Sequence, residues 1–174
     1  RWFNPSTAYH MPYQQIVPII DSRVRSLCRR PYPGHPLGCP NWNKKDICPP
    51  QAPMLGTLID LNHTVYAIWN EFDLAAQVDR MRERHPEWSW RQLVNCLYWQ
   101  QTARNSLRAE THRFLRTIIG PWRIVQTPEA CGVNMTETMQ SLGVRLQWPP
   151  RTVTLQIVLA GKPQNSPVED LFGG

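Results

Sequence analysis

A chain of 174 residues is long enough for one domain with its own core, because a chain of this size buries roughly two-thirds of the surface it exposes when unfolded. Its hydrophobic fraction of 41% and charged fraction of 18% are below globular averages, 17 prolines and 8 tryptophans are high, and no apolar run reaches the roughly 18 residues that a membrane-spanning helix needs. The net charge of +6 favours anionic partners, yet there is no block of Lys and Arg and no RNA-binding or zinc-finger signature.

Residues Arg1 to Gln15 carry Trp2, Phe3, Tyr9 and Tyr13 among polar residues, the composition of an arm packed on the body by aromatic anchors. Ile16, Val17, Ile19 and Ile20 read as a short strand that Pro18 confines to a sheet edge or a strand end. From Cys28 to Pro53 nearly everything is turn chemistry, with Pro33-Gly34, Pro36, Gly38, Pro40 and Pro49-Pro50 among three cysteines. A loop of that length inside a compact domain is usually functional and needs a tether.

His63 to Phe72, rich in β-branched and aromatic residues, predicts a central strand. Asp73 then predicts the N-cap of a helix to about Arg84, with Leu74, Val78 and Met81 on one face. Ser89-Trp90-Arg91-Gln92 has capping-box spacing. One long helix is expected from it to Gly120-Pro121, its buried stripe formed by Trp90, Leu93, Leu97, Ala103, Leu107, Phe114, Leu115 and Ile118. Trp122 to Thr127 predicts a strand, Asn134 to Leu142 a short helix stopped by Gly143, and Val153 to Ala160 a final, almost wholly apolar strand. The fold class expected is therefore α/β or α+β, a layered sandwich of four or five strands with helices and an irregular cysteine-rich loop. Residues 1–161 form one metal-binding domain in this reading, with the loop at 28–53, and residues 162–174 a flexible tail.

The chemistry points to the loop. Cys28 and Cys39 are separated by ten residues and Cys39 and Cys48 by eight, so the closely spaced ligand pairs of common structural zinc modules are absent. Cys39-Pro40 and Cys48-Pro49-Pro50 place proline after the thiol, as at the end of the bacterial ferredoxin run; proline stiffens the chain leaving the ligand. Three thiolates and one further group suit a 4Fe-4S cluster or, alternatively, tetrahedral zinc. His35, Cys131 and Cys96 are candidates for the fourth position, and an open position would leave room for a substrate; the preferred reading is three cysteines with that position open. The competing reading makes the cysteines small buried hydrophobes or free thiols, and at Cys96, near an apolar stripe, a plain core cysteine is favoured.

The stretch from Cys28 through Cys39-Pro-Asn-Trp-Asn-Lys-Lys-Asp-Ile-Cys48-Pro-Pro resembles the cysteine-rich segment of the prokaryotic predicted metal-binding proteins, domain-of-unknown-function family 2284. Pro128-Glu-Ala-Cys-Gly-Val-Asn134, with the helix and apolar strand after it, resembles that family's C-terminal part, so the likeness spans most of Cys28 to Gly161. It implies a cysteine-bound metal in an α/β domain of unknown activity.

Other groupings are weaker. Asp60, His63, Glu71, Asp73 and His85 could form an acid–base or hard-metal cluster, but capping and solvation account for each. Arg104, Arg108, Arg113 and Arg116 read as a solvated helix face, and Trp88, Trp90, Tyr98 and Trp99 as core or as stacking platforms. Phosphate-binding glycine loops, a Gly-x-Ser-x-Gly elbow and His-Glu-x-x-His are all missing, which disfavours nucleotide-fuelled, esterase and zinc-protease chemistry. Five cysteines is an odd number for a secreted disulfide scaffold and no signal peptide is evident, so the cytoplasm is the expected location, with the sequons at Asn62 and Asn134 as chance matches. The functional expectation is a redox or sulfur-handling protein acting on a small anionic or nucleotide-like substrate. The alternative is a zinc-stabilised structural or interaction module with nucleic acid as a partner.

Overall fold

In the computed structural model, which describes residues 12–31 and 35–164, the two longest strands are neighbours. Strand β2 (Val65–Asp73) runs antiparallel to β4 (Val153–Gly161), from Tyr66 opposite Ala160 to Asp73 opposite Val153. The short strands β1 (Tyr13–Ile16) and β3 (Arg123–Val125) add to the outer sides, giving the order β1-β2-β4-β3 with every pair antiparallel. Antiparallel pairing throughout settles the fold class as α+β. The strand expected at Ile16 to Ile20 lies earlier, over Tyr13–Ile16: Pro18 cannot donate to a ladder, and Ile20 makes only an isolated bridge to Val133. At the other end of β1, Trp69 N–H donates to Pro12 O at 2.8 Å and Pro12 has no N–H to return, so the regular ladder stops there.

Both faces of the sheet are covered, which is why β4 reads as apolar at almost every position. On one face Ile68, Val158 and Ala160 meet Leu107 and Phe114 of helix α4 (Gln100–Leu115), with Tyr13, Tyr66 and Trp122 around the Phe114 ring. On the other, Ile16, Val65, Ala67, Trp69, Val125 and Leu159 pack on α1 (Leu55–Leu58), the segment around Cys131 and Val133, and α5 (Met135–Gln140). The strict alternation of these residues along β2 and β4 is the period-two pattern of a pleated sheet.

Asp73 caps α2 (Leu74–Arg84) at the expected residue by accepting from Ala76 N–H at 2.8 Å, and Asn134, expected as the first residue of a helix, caps α5 by accepting from Glu137 N–H. Gly143, at φ +76, follows α5 and Leu142 as a left-handed stop. The long helix expected from Ser89 is broken into α3 (Trp90–Leu93), a single 3-10 turn at Cys96–Tyr98, and α4. Gln92 does fold back on Ser89, but Asn95 accepts from Leu97 N–H at 3.1 Å, and this side-chain bond competes with continuation of the helix. The break rotates the stripe out of phase. Leu93, Ala103, Leu107 and Phe114 are buried as expected, whereas Trp90 and Leu115 are exposed and Leu97 is 81% exposed.

Lys162 to Gln164, expected to begin a tail, are tied to α1: Lys162 O accepts from Asp60 N–H and Gln164 N–H donates to Leu58 O. The rest of that expected tail, and residues 1–11 of the aromatic arm, lie outside the described residues. No described helix is long and apolar enough to cross a membrane.

Candidate functional site

The cysteine-rich segment starts on a 3-10 helix, Ser22–Arg29, whose first turn is capped by Asp21 accepting from Arg23 N–H at 2.9 Å. Cys28 sits near its end. From His35 to Met54 the chain is a succession of turns closed by backbone bonds, including Gly38 N–H to His35 O, Trp42 N–H to Cys39 O, Cys48 N–H to Lys45 O and Ala52 N–H to Cys48 O. The contact that folds this lobe onto itself is Cys39 N–H to Cys28 O at 2.7 Å. It depends on Gly38, which has φ +84 and no room for a side chain: a Cβ there would lie 2.6 Å from Cys28 O and 2.8 Å from the Arg29 carbonyl carbon.

Arg25 fastens the far end of the lobe. Its Nη2 donates to Pro50 O at 2.9 Å and Ala52 O at 2.6 Å, and its Nη1 lies 3.4 Å from Met54 Sδ. Thr127 Oγ1 donates to Ile47 O at 3.1 Å, and Leu55 N–H donates to Cys131 O at 2.9 Å, so both edges of the lobe are tied to the core.

Cys28, Cys39 and Cys48 are free thiols, each partly accessible. Cys39 and Cys48 both lie within electrostatic reach of Cys28: burial pushes the Cys28 thiol up, and the negative forms of Cys39, Cys48 and Glu129 push it further in the same direction. In kind, three thiols match a thiophilic metal. In spacing, the lobe is not a finished ligand sphere, because among the described residues no three of His, Cys, Asp or Glu are grouped so as to hold an ion.

The candidates for a fourth ligand divide. Cys131 is buried in the core beneath β2 and β4, and its thiol is pushed up chiefly by burial, with Arg25 and Arg123 opposing and Glu129 adding to the rise; none of the loop thiols acts on it. His35 is exposed on the lobe's surface, and Cys96 is exposed on the 3-10 turn before α4, away from the core position expected for it.

Two residues that sequence reasoning passed over matter here. Glu129 is the charged neighbour that Cys28 and Cys131 share; the residue is exposed as a whole, yet its carboxyl is ringed by protein and desolvation raises its pKa. It borders a small cavity of about 80 Å³ whose walls include Gln147, Trp148, Thr154 and Ile157. Arg25 was one basic residue among many. Arg25 had no motif to betray it and Glu129 lay unremarked within Pro128 to Asn134, since both act through contacts that close only when distant segments meet.

The other sequence candidates are dispersed. His63 Nδ1 lies 2.9 Å from Asp60, whose carboxyl is held below its usual range first by Asn62 N–H and then by His63, all in an exposed turn. Asp73 caps α2, and His85 stacks on Trp88 at 3.9 Å. Arg104, Arg108, Arg113 and Arg116 are exposed, Arg113 lying 3.2 Å from Glu110. Trp99 is core, stacked on Phe72 at 5.3 Å, while Trp90 faces solvent. No family model, no curated protein and no solved structure matches this chain.

Proposed function

We propose that this chain is a cysteine-ligated metalloprotein whose centre is the lobe carrying Cys28, Cys39 and Cys48, and that the group held there is an iron–sulfur cluster. The observation that carries the reading is the closure of the lobe by the Cys39 N–H to Cys28 O bond, with the partly accessible free thiols of Cys39 and Cys48 both in electrostatic reach of Cys28. Binding of the cluster is coupled to a further closing of the lobe in this reading, as metal binding is coupled to folding in other thiolate sites. When bound, such a cluster supplies electron transfer or an open iron as a Lewis acid.

The chain's own residues would do the rest. Arg23, Arg29, Arg30, Lys44 and Lys45 are exposed on the same segment and would draw a small anionic or nucleotide-like substrate toward it, consistent with a redox or sulfur-handling role. Cys131, sequestered in the core, is left out of the ligand set, and the fourth position stays open. The likeness to domain-of-unknown-function family 2284 belongs to the same proposal.

The second reading is a zinc-stabilised structural or interaction module, with nucleic acid as the anionic partner. It is favoured by the ties through Thr127 and Leu55 that fasten the lobe to the core, with Arg25 bracing the lobe internally. Purification without oxygen, followed by metal and sulfide analysis, separates the two. The expected result is bound iron and sulfide, lost in Cys28→Ser, Cys39→Ser and Cys48→Ser and retained in Cys131→Ser. Colourless protein with one zinc establishes the second reading, loss in Cys131→Ser closes the fourth position, and protein free of both metals overturns the proposal.

A further inference from the structure

Strand β4 is fully buried only in its second half: Val158 to Gly161 lie in the core, whereas Val153, Leu155 and Ile157 are half-buried. By strand alternation these three share the face that α1, α5 and the Cys131 segment cover farther along, at Leu159. Where that cover ends they floor the cavity of about 80 Å³ that Glu129 borders, with Leu146 and Trp148 in its wall. Trp148, 73% exposed, leaves most of its indole surface uncovered there.

Glu129 is the charged group of this recess. Among the described residues no side chain donates to its carboxyl and no cation pairs with it; its own backbone N–H alone favours the ionised form, against desolvation by the surrounding protein. The residue is exposed as a whole and lines the recess, so a donor that enters can meet it. A few polar groups set in an otherwise apolar pocket are what fix a ligand's orientation.

Shape and chemistry select what enters. An enclosed apolar cavity of about 150 Å³ takes a benzene ring. A recess about half that size, open beside an indole, seats the edge of one ring while the indole takes its flat face. A carboxylate selects an edge that carries N–H donors, as it does at the amino group of cytosine.

We propose that this recess binds a single-ring nitrogen heterocycle, stacked on Trp148 with its N–H edge on the Glu129 carboxyl. The inference rests on the functional reading above where it makes this ring part of the nucleotide-like substrate: Glu129 lies in electrostatic reach of Cys28, and exposed Arg29 and Arg30, next in the chain, would draw the anionic part.

The test is calorimetric titration of the full chain, purified without oxygen, with cytosine; 1,3-dimethyluracil, a pyrimidine ring with no N–H, is the comparison. Saturable binding of cytosine is expected, with affinity about tenfold lower in Glu129→Gln and in Trp148→Ala. Both substitutions fall on exposed residues and leave the core intact. The proposal is overturned if cytosine does not bind, if 1,3-dimethyluracil binds as tightly, or if either variant binds as well as the parent chain. Cytidine monophosphate and a short oligocytidylate separate the sources of such a ring: equal affinity per base supports a free nucleotide, and a tenfold or greater gain for the strand overturns that assignment. Metal analysis of the same preparations keeps the two readings apart. Bound iron without cytosine binding overturns the recess alone, whereas cytosine binding by protein free of iron and zinc sustains the recess and overturns the metal centre.

Discussion

Around β2 and β4 the chain is held by burial, while between Cys28 and Met54 it is held by backbone turns and one arginine. Phe114, Ile68, Leu159 and Val133 are all fully buried in the first region. In the second, Leu37 is 93% exposed and Ile47 57%, and the buried residues are few, such as Pro49 and Ala52. Burial gives the sheet region a cooperative core, whereas hydrogen bonds exchanged with water contribute little net stability each. The lobe should therefore open at lower free energy than the sheet, which is what a segment that closes on a ligand requires.

The comparison can be broken from either side. Phe114→Ala removes the ring packed among Tyr13, Tyr66 and Trp122 and should cost about 4 kcal/mol in urea unfolding, loosening both regions together. If the sheet survives that change with its amide protection intact, the burial argument is wrong. Gly38→Ala should cost about 2 kcal/mol or more, because it combines a left-handed backbone with a clash against the Cys28 and Arg29 backbone. Gly143→Ala, with φ +76 and open space around it, should cost only about 1 kcal/mol. Gly38→Ala should also raise the reactivity of Cys28, Cys39 and Cys48 toward a thiol reagent while leaving that of buried Cys131 unchanged. Equal costs at the two glycines would show that the lobe does not depend on the Cys28–Cys39 contact. An effect as small as that of Gly143→Ala, about 1 kcal/mol, is expected from Arg25→Met, since water can replace the guanidinium at exposed Pro50 but less readily at Ala52. Hydrogen exchange of the Ala52 and Leu55 amides should quicken in that variant, with the β2 amides unaffected.

How far the fold could be read depended on whether a signal was local. Asp73 was legible as a cap because an N-cap bonds three residues ahead, and β4 was legible because a strand covered on both faces is apolar at nearly every position. The stripe Leu93, Leu97, Ala103 and Leu107 looked continuous, yet Asn95 restarts the turn and turns Leu97 out to solvent. Helical period alone does not register a break between two segments that each keep it. At the lobe, the cysteines, the proline exits and the glycine turn were all visible in order along the chain. Arg25, Glu129 and the bond from the Asn70 amide were not, for their partners lie on other elements.

By itself, then, the sequence determined the elements whose causes are near neighbours: the cap at Asp73, the inner strands, the stop at Gly143 and a cysteine segment made of turns. Tertiary structure alone decided the antiparallel order β1-β2-β4-β3, the burial of Cys131 away from the loop thiols, the closure of Cys39 onto Cys28, and the bond from the Asn70 amide to Ala103 O on α4. The physical reason is range. A cap or a turn is chosen by contacts within a few residues, whereas strand order and the meeting of side chains from distant segments follow from which apolar faces can be buried together, and that is a property of the whole chain.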